Sequence, residues 1–121
     1  VLDGALPRGA SFSDLDAYGE INGHFLFIEH KPEGYAWEPG NGQYRALRAL
    51  AGLPRCTVWV VRPKAGGWDI RDLEHPGEVL WTADDELLRE MVAGWGSEAD
   101  QCGCAGRWME AEQCTVNRAS A

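Results

Sequence analysis

An α/β or α+β domain, with a β-sheet flanked by helices, is predicted by three features of this chain. The first is a hairpin signal at Asn22-Gly23, where both positions suit the positive φ of a two-residue turn. The second is a near-continuous apolar run over residues 55–62, which reads as a strand buried on both faces. The third is helical periodicity before and after that strand.

The elements follow in order. Residues 1–13 read as loop, with Pro7 and Gly9. Residues 24–31 alternate around apolar positions and are rich in β-formers, so they form the second arm of the hairpin. A loop with Gly34, Pro39, Gly40 and Gly42 leads to Asn41 as an N-cap and a helix over 43–51. Gly52 and Pro54 stop that helix. After the strand at 55–62, Gly66-Gly67 turns the chain into short strands at 68–73 and 78–81. Thr82 then reads as an N-cap, with Asp85 in the capping-box position. Leu87, Leu88, Met91, Val92 and Trp95 form one apolar helix face, which Gly94 and Gly96 are expected to end. Residues 97–121 read as a weakly patterned tail with a short helix at 107–113.

The 121 residues fit one domain, 1–121, and the 45% apolar content with six Trp supports a real core. The net charge of −8, with a pI near 4.7, excludes a standing, non-specific grip on nucleic acid through a basic surface. It leaves room for hydrolysis in which a metal and a local cation offset the field. No stretch is long and apolar enough to cross a membrane, and no secretory signal is visible. The chain begins at Val1 rather than Met, so a preceding segment is allowed for. With four cysteines, a reduced cytoplasmic setting is the expectation, and Cys56 at the start of the apolar strand is read as a buried thiol.

Function is concentrated on the hairpin. With Asn22 and Gly23 as the turn, Ile21 pairs with His24, Asp16 falls opposite Glu29, and Asp14 falls opposite Lys31. Opposite residues share a face, as do residues two apart on a strand, so these four converge on one patch. A slip of one residue would reverse the faces and dissolve the patch. A Glu-x-Lys on a solvated strand needs no function, but this one shares its face with Phe25 and Phe27, and an aspartate faces the glutamate. Like charges that are partly buried cost stability unless a divalent cation relieves them. On the following helix, Gln43, Leu47 and Leu50 share a side. Packing of the leucines on the sheet carries Gln43 toward Lys31, while Arg45 and Arg48 point elsewhere, in reach of phosphates.

The run Asp16 … Glu29-His30-Lys31 … Gln43, on a hairpin followed by a helix and a buried strand, resembles the PD-(D/E)XK nuclease superfamily, nearest to small stand-alone members from phages and mobile elements. The similarity covers roughly residues 7–63. It implies an α/β fold with a restriction-endonuclease-like mixed β-sheet flanked by helices, and a metal-dependent nuclease that hydrolyses phosphodiester bonds of DNA. It also implies Mg²⁺ or Mn²⁺ ligated by Asp16, Glu29 and the His30 backbone carbonyl. Lys31 would orient the attacking water or stabilise the developing charge, and Gln43 matches a glutamine that several branches place on that helix. Some members work as homodimers. Leu15 stands where the motif has proline, and Leu47 where a Gln-x-x-x-Tyr branch has tyrosine. Two alternatives accompany this reading: a catalytically inactive binding or regulatory module of the same fold, and a small acidic interaction protein of phage or mobile-element type.

Cys102, Cys104 and Cys114 with His75 make a candidate zinc set, although Cys-x-Cys is a less usual spacing than Cys-x-x-Cys, and free thiols or a disulfide are preferred. His24 and His30 lie on the face opposite Glu29 and are not placed as side-chain ligands. Trp59 and Trp95 read as core, and Trp37 is the tryptophan considered for substrate contact.

Overall fold

A computed structural model of the chain describes Pro7 and residues 15–36, 42–73 and 79–102. Five strands form one sheet in sequence order. They are β1 (Ala17–Ile21), β2 (His24–His30), β3 (Cys56–Lys64), β4 (Gly67–Asp72) and β5 (Val79–Ala83), with α1 (Gly42–Ala51) between β2 and β3 and α2 (Asp85–Asp100) after β5. The β2–β3 pair is parallel and the other three pairs are antiparallel. The result is a mixed α/β sheet with two helices.

The first hairpin has the register that a two-residue turn dictates: Ile21 faces His24, Tyr18 faces Phe27 and Ala17 faces Ile28. Asn22 has φ 57° and Gly23 φ 81°, which are the left-handed values such a turn requires. The Arg55 guanidinium lies close by: a Cβ at Gly23 would stand 2.9 Å from its Nη1 and would displace the end of that side chain. Asn22 tethers the hairpin to α2: its Nδ2 donates to the carbonyls of Ala99 at 3.1 Å and Cys102 at 2.8 Å.

Strand β3 is the spine. Val58 and Val60 pack with Tyr44, Leu47 and Ala51 of α1, while Trp59 and Val61 pack with Met91, Trp95 and Ala99 of α2. Burial on both faces explains its unbroken apolar run. The buried stripe of α1 is Tyr44, Leu47 and Ala51, so Gln43 sits at the margin of that stripe and is only half-buried.

Several expectations are corrected. The α2 cap is Asp84, not Thr82: the Asp84 carboxylate accepts the Leu87 N–H at 2.8 Å, while Thr82 is in β5, paired with Asp69. A carboxylate at the first turn also complements the helix dipole, which a threonine does not. Gly94 and Gly96 do not end α2, which runs to Asp100 and takes in residues 97–100 of the expected tail. Each glycine costs a helix about 1 kcal/mol relative to Ala, but buried Trp95 and Ala99 anchor the turns on either side. At Gly96 a Cβ would stand 3.3 Å from Cδ1 of Ile21, so the glycine lets the helix close on β1. Leu87 is 44% exposed and lies off the apolar face, and the Cys56 thiol is half-buried rather than buried. The strands expected at 55–62, 68–73 and 78–81 each differ from the observed spans by one or two residues at an end. The proposed Asn41 cap and the helix at 107–113 lie outside the described residues. Among the described residues no helix is long and apolar enough to cross a membrane.

The double duty of Asn22 sets an expected order of stability. Asn22→Gly keeps the turn geometry and loses both side-chain hydrogen bonds, a cost of about 1–2 kcal/mol. Asn22→Ala loses the bonds and also strains the turn, for about 2–4 kcal/mol in total. Urea denaturation of the two variants checks both the sizes and the order.

Candidate active site

The candidate residues gather at the end of β2, on the α1 side of the sheet. Asp16 lies just beyond the last β1 pair, and its Oδ2 accepts the backbone N–H of His30 at 2.6 Å. This ties the acid to the strand that carries Glu29 and Lys31. Glu29 is 5% exposed. Its Oε1 lies 3.7 Å from Nζ of Lys31, and its Oε2 has no hydrogen-bond partner among the described residues. Lys31 Nζ also donates to Oε1 of Gln43. The structure thus brings Asp16, Glu29, Lys31 and Gln43 together. Asp14 lies outside the described residues.

Electrostatics at Glu29 follow from this packing. Burial is the largest influence and raises its pKa above the ordinary carboxylate value, and Asp16 raises it further, through its charge and through a hydrogen bond that favours a proton shared between the two carboxyls. The Lys31 ammonium and the Gln43 amide pull the other way without cancelling the rise. Protein cations therefore leave this carboxylate under-compensated.

Two groups that residue patterning did not single out complete the site. The Lys31 ammonium lies 5.1 Å from the centroid of the Tyr35 ring, within range of a cation–π contact. The Tyr35 carbonyl accepts from Nη1 of Arg62, and the same guanidinium grips Oδ2 of Asp69 at 2.9 and 3.3 Å through Nη2 and Nε. Arg62 thus pins the loop that places Tyr35 beside Lys31. No sequence signal marks this, because residues 27 positions apart meet only through the sheet.

The remaining candidates do not join the site. His24 is 2% exposed, and burial first, then the Arg55 charge, lowers its pKa. The His30 ring stands edge-on to Trp68, with centroids 5.7 Å apart; only its peptide adjoins Asp16. Arg45 is exposed and Arg48 half-buried on α1. Of the cysteine set, Cys102 is disulfide-bonded and so is not a thiolate ligand; Cys104, Cys114 and His75 lie outside the described residues, as does Trp37. Trp59 and Trp95 are core residues. Among the described residues no three His, Cys, Asp or Glu side chains form a metal-binding group.

Comparison with protein-family models, with curated proteins and with solved structures finds no match.

The raised pKa has a signed consequence. A carboxyl whose folded pKa exceeds its unfolded value contributes stability below the unfolded value, and that stability is lost as pH rises through the folded one. Glu29→Gln removes the penalty, so at neutral pH this variant is expected to melt higher by about 2–6 °C, on the order of 1 kcal/mol for a domain of this size. The gain should shrink toward zero at pH below the ordinary glutamate value of 4.5, where the native carboxyl is protonated in both states. Thermal melts of both proteins across that pH range test it.

Proposed function

We propose that this chain is a metal-dependent nuclease of the PD-(D/E)XK type that hydrolyses phosphodiester bonds of DNA in the cytoplasm, on a restriction-endonuclease-like fold. One observation carries the reading: Glu29 is a nearly buried carboxylate with an unpartnered oxygen, beside a second carboxylate and within 3.7 Å of a lysine ammonium. Burying an anion with so little compensation is costly, and the site residues fit the hard divalent cation that would offset the cost.

The donor set suits Mg²⁺ or Mn²⁺. Asp16, Glu29 and the His30 carbonyl offer oxygen only, and such ions keep several waters, so two acids and a carbonyl suffice. When bound, the ion supplies a polarised phosphoryl oxygen and a water of lowered pKa. The chain's own groups then divide the remaining work. Lys31 presents its ammonium to the charge that develops on the phosphorus-bound oxygens or to the attacking water. Gln43 holds Lys31 Nζ by a hydrogen bond, and the Tyr35 ring flanks it. Oδ2 of Asp16 is held by the His30 N–H, so its second oxygen has a defined direction. Placement at the carboxyl end of the parallel β2–β3 pair, beside the connecting helix, supports the reading, since crevices there commonly hold ligands in α/β sheets.

A second reading is a catalytically silent member of the same fold, favoured by the net charge of −8 and by the lack of a third acid at the site among the described residues. One experiment separates the two. The protein is incubated with single-stranded and duplex DNA and with RNA, in Mg²⁺, in Mn²⁺ and in EDTA. The nuclease reading expects cleavage in metal and none in EDTA, with Glu29→Gln and Lys31→Ala each losing about 100-fold or more in rate. Failure to cleave any substrate, with no heat of Mg²⁺ or Mn²⁺ binding in calorimetry, decides for the silent module.

A further inference from the structure

The hairpin carries a second feature on the face of the acids. Tyr18 is two residues along β1 from Asp16, and Phe27 is two residues along β2 from Glu29. Tyr18 and Phe27 face each other across the ladder, with ring centroids 6.0 Å apart. Phe25 stacks on Phe27 at 5.7 Å with an interplanar angle of 10°, and lies 6.4 Å from Tyr18. Helix α1 packs chiefly on β3 and reaches the hairpin only as far as Phe27, and Tyr18 on the outer strand remains 67% exposed. A large ring left open to water on a sheet face, backed by two more rings, forms a platform with a free π-surface.

We infer that this platform stacks an unpaired nucleobase of the strand whose phosphate occupies the Asp16–Glu29 site, so that the substrate is single-stranded or locally unpaired nucleic acid. The inference rests on the nuclease reading and adds the substrate class to it. Spacing supports it: two residues of strand span about 7 Å, comparable to one nucleotide of extended single strand, so the ring meets the base next to the phosphate. Charge supports it as well. A protein of net charge −8 gains little from the phosphates of either a duplex or a single strand, so base stacking, which only an unpaired strand offers to Tyr18, is the larger attraction left to it, with Lys31 as the local cation. In a duplex the bases already stack on their neighbours, and their faces are closed to Tyr18.

The test uses binding, without turnover. Oligodeoxynucleotides carrying a fluorescent adenine analogue, as single strand and as duplex, are titrated in EDTA with the native protein and with Tyr18→Phe, Tyr18→Leu and Tyr18→Ala. Expected are tighter binding of the single strand, quenching of the analogue, and retention of both in Tyr18→Phe. Loss of about 5- to 150-fold in single-strand affinity is expected in Tyr18→Leu and Tyr18→Ala, because leucine restores apolar area without a π-face. Equal binding of duplex and single strand, insensitivity to Tyr18, or no binding of either overturns the inference. A change in sedimentation of the free protein on Tyr18→Ala also overturns it, because the rings would then be covering a second copy of the chain. Tyr18-dependent single-strand binding without cleavage in metal would uphold stacking and defeat the nuclease. Metal-dependent cleavage of duplex that ignores Tyr18 would do the reverse.

Discussion

The left-handed backbone at Asn22 and Gly23 is the constraint on which the rest of this structure depends. A two-residue turn of that geometry admits one register. In that register Asp16 comes level with Glu29 and Tyr18 with Phe27, all on the α1 side of the sheet. The side-chain period of a strand is two, so a slip of one residue would place Glu29 and Asp16 on opposite faces. The turn is held from outside as well as by its own dihedrals. Asn22 is bonded to the end of α2, and Arg55 packs against Gly23. The geometry of the acids is therefore guarded by contacts at the far end of the hairpin.

From that register the site is assembled by the crossover β2–α1–β3. The parallel pair brings His30 beside Val61, and the Lys31 N–H donates to the Val61 carbonyl at 2.8 Å. Arg62, the next residue on β3, then reaches the loop after Lys31. One chain of contacts runs from Asp69 through Arg62, the Tyr35 carbonyl and the Tyr35 ring to the Lys31 ammonium, which also meets Gln43 and Glu29. A flexible lysine is thereby fixed from several directions. The buried carboxylate beside it is the opposite case: burial and the Asp16 charge oppose its own charge.

Much of this was legible in the sequence, for identifiable reasons. The Asn-Gly turn and the period-two pattern determine which residues share a face, and helical spacing carries Gln43 to the sheet margin. Those are local rules, and Asp16, Glu29, Lys31 and Gln43 could be placed with them. Contacts between distant segments were not legible. Nothing in residues 32–36 announces that Tyr35 will meet Lys31, since Arg62 holds it there. Gly94 and Gly96 read as helix stops because propensity is local, whereas the close approach to Ile21 that favours a glycine at 96 is tertiary. Thr82 and Asp84 both offer capping side chains, and pairing of Thr82 with Asp69 in the sheet decided between them. The free face of Tyr18 likewise emerges only once α1 is seen to pack on β3.

A divalent cation held by the Asp16–Glu29 pair, as proposed, would be located directly by paramagnetic Mn²⁺ broadening of backbone amide signals at sub-stoichiometric metal. Selective loss of the signals of Ala17, Glu29, His30 and Lys31 before any others is the predicted result. Broadening centred instead on the acids at the start of α2, Asp84, Asp85 and Glu86, or spread evenly over the acidic surface, would contradict it.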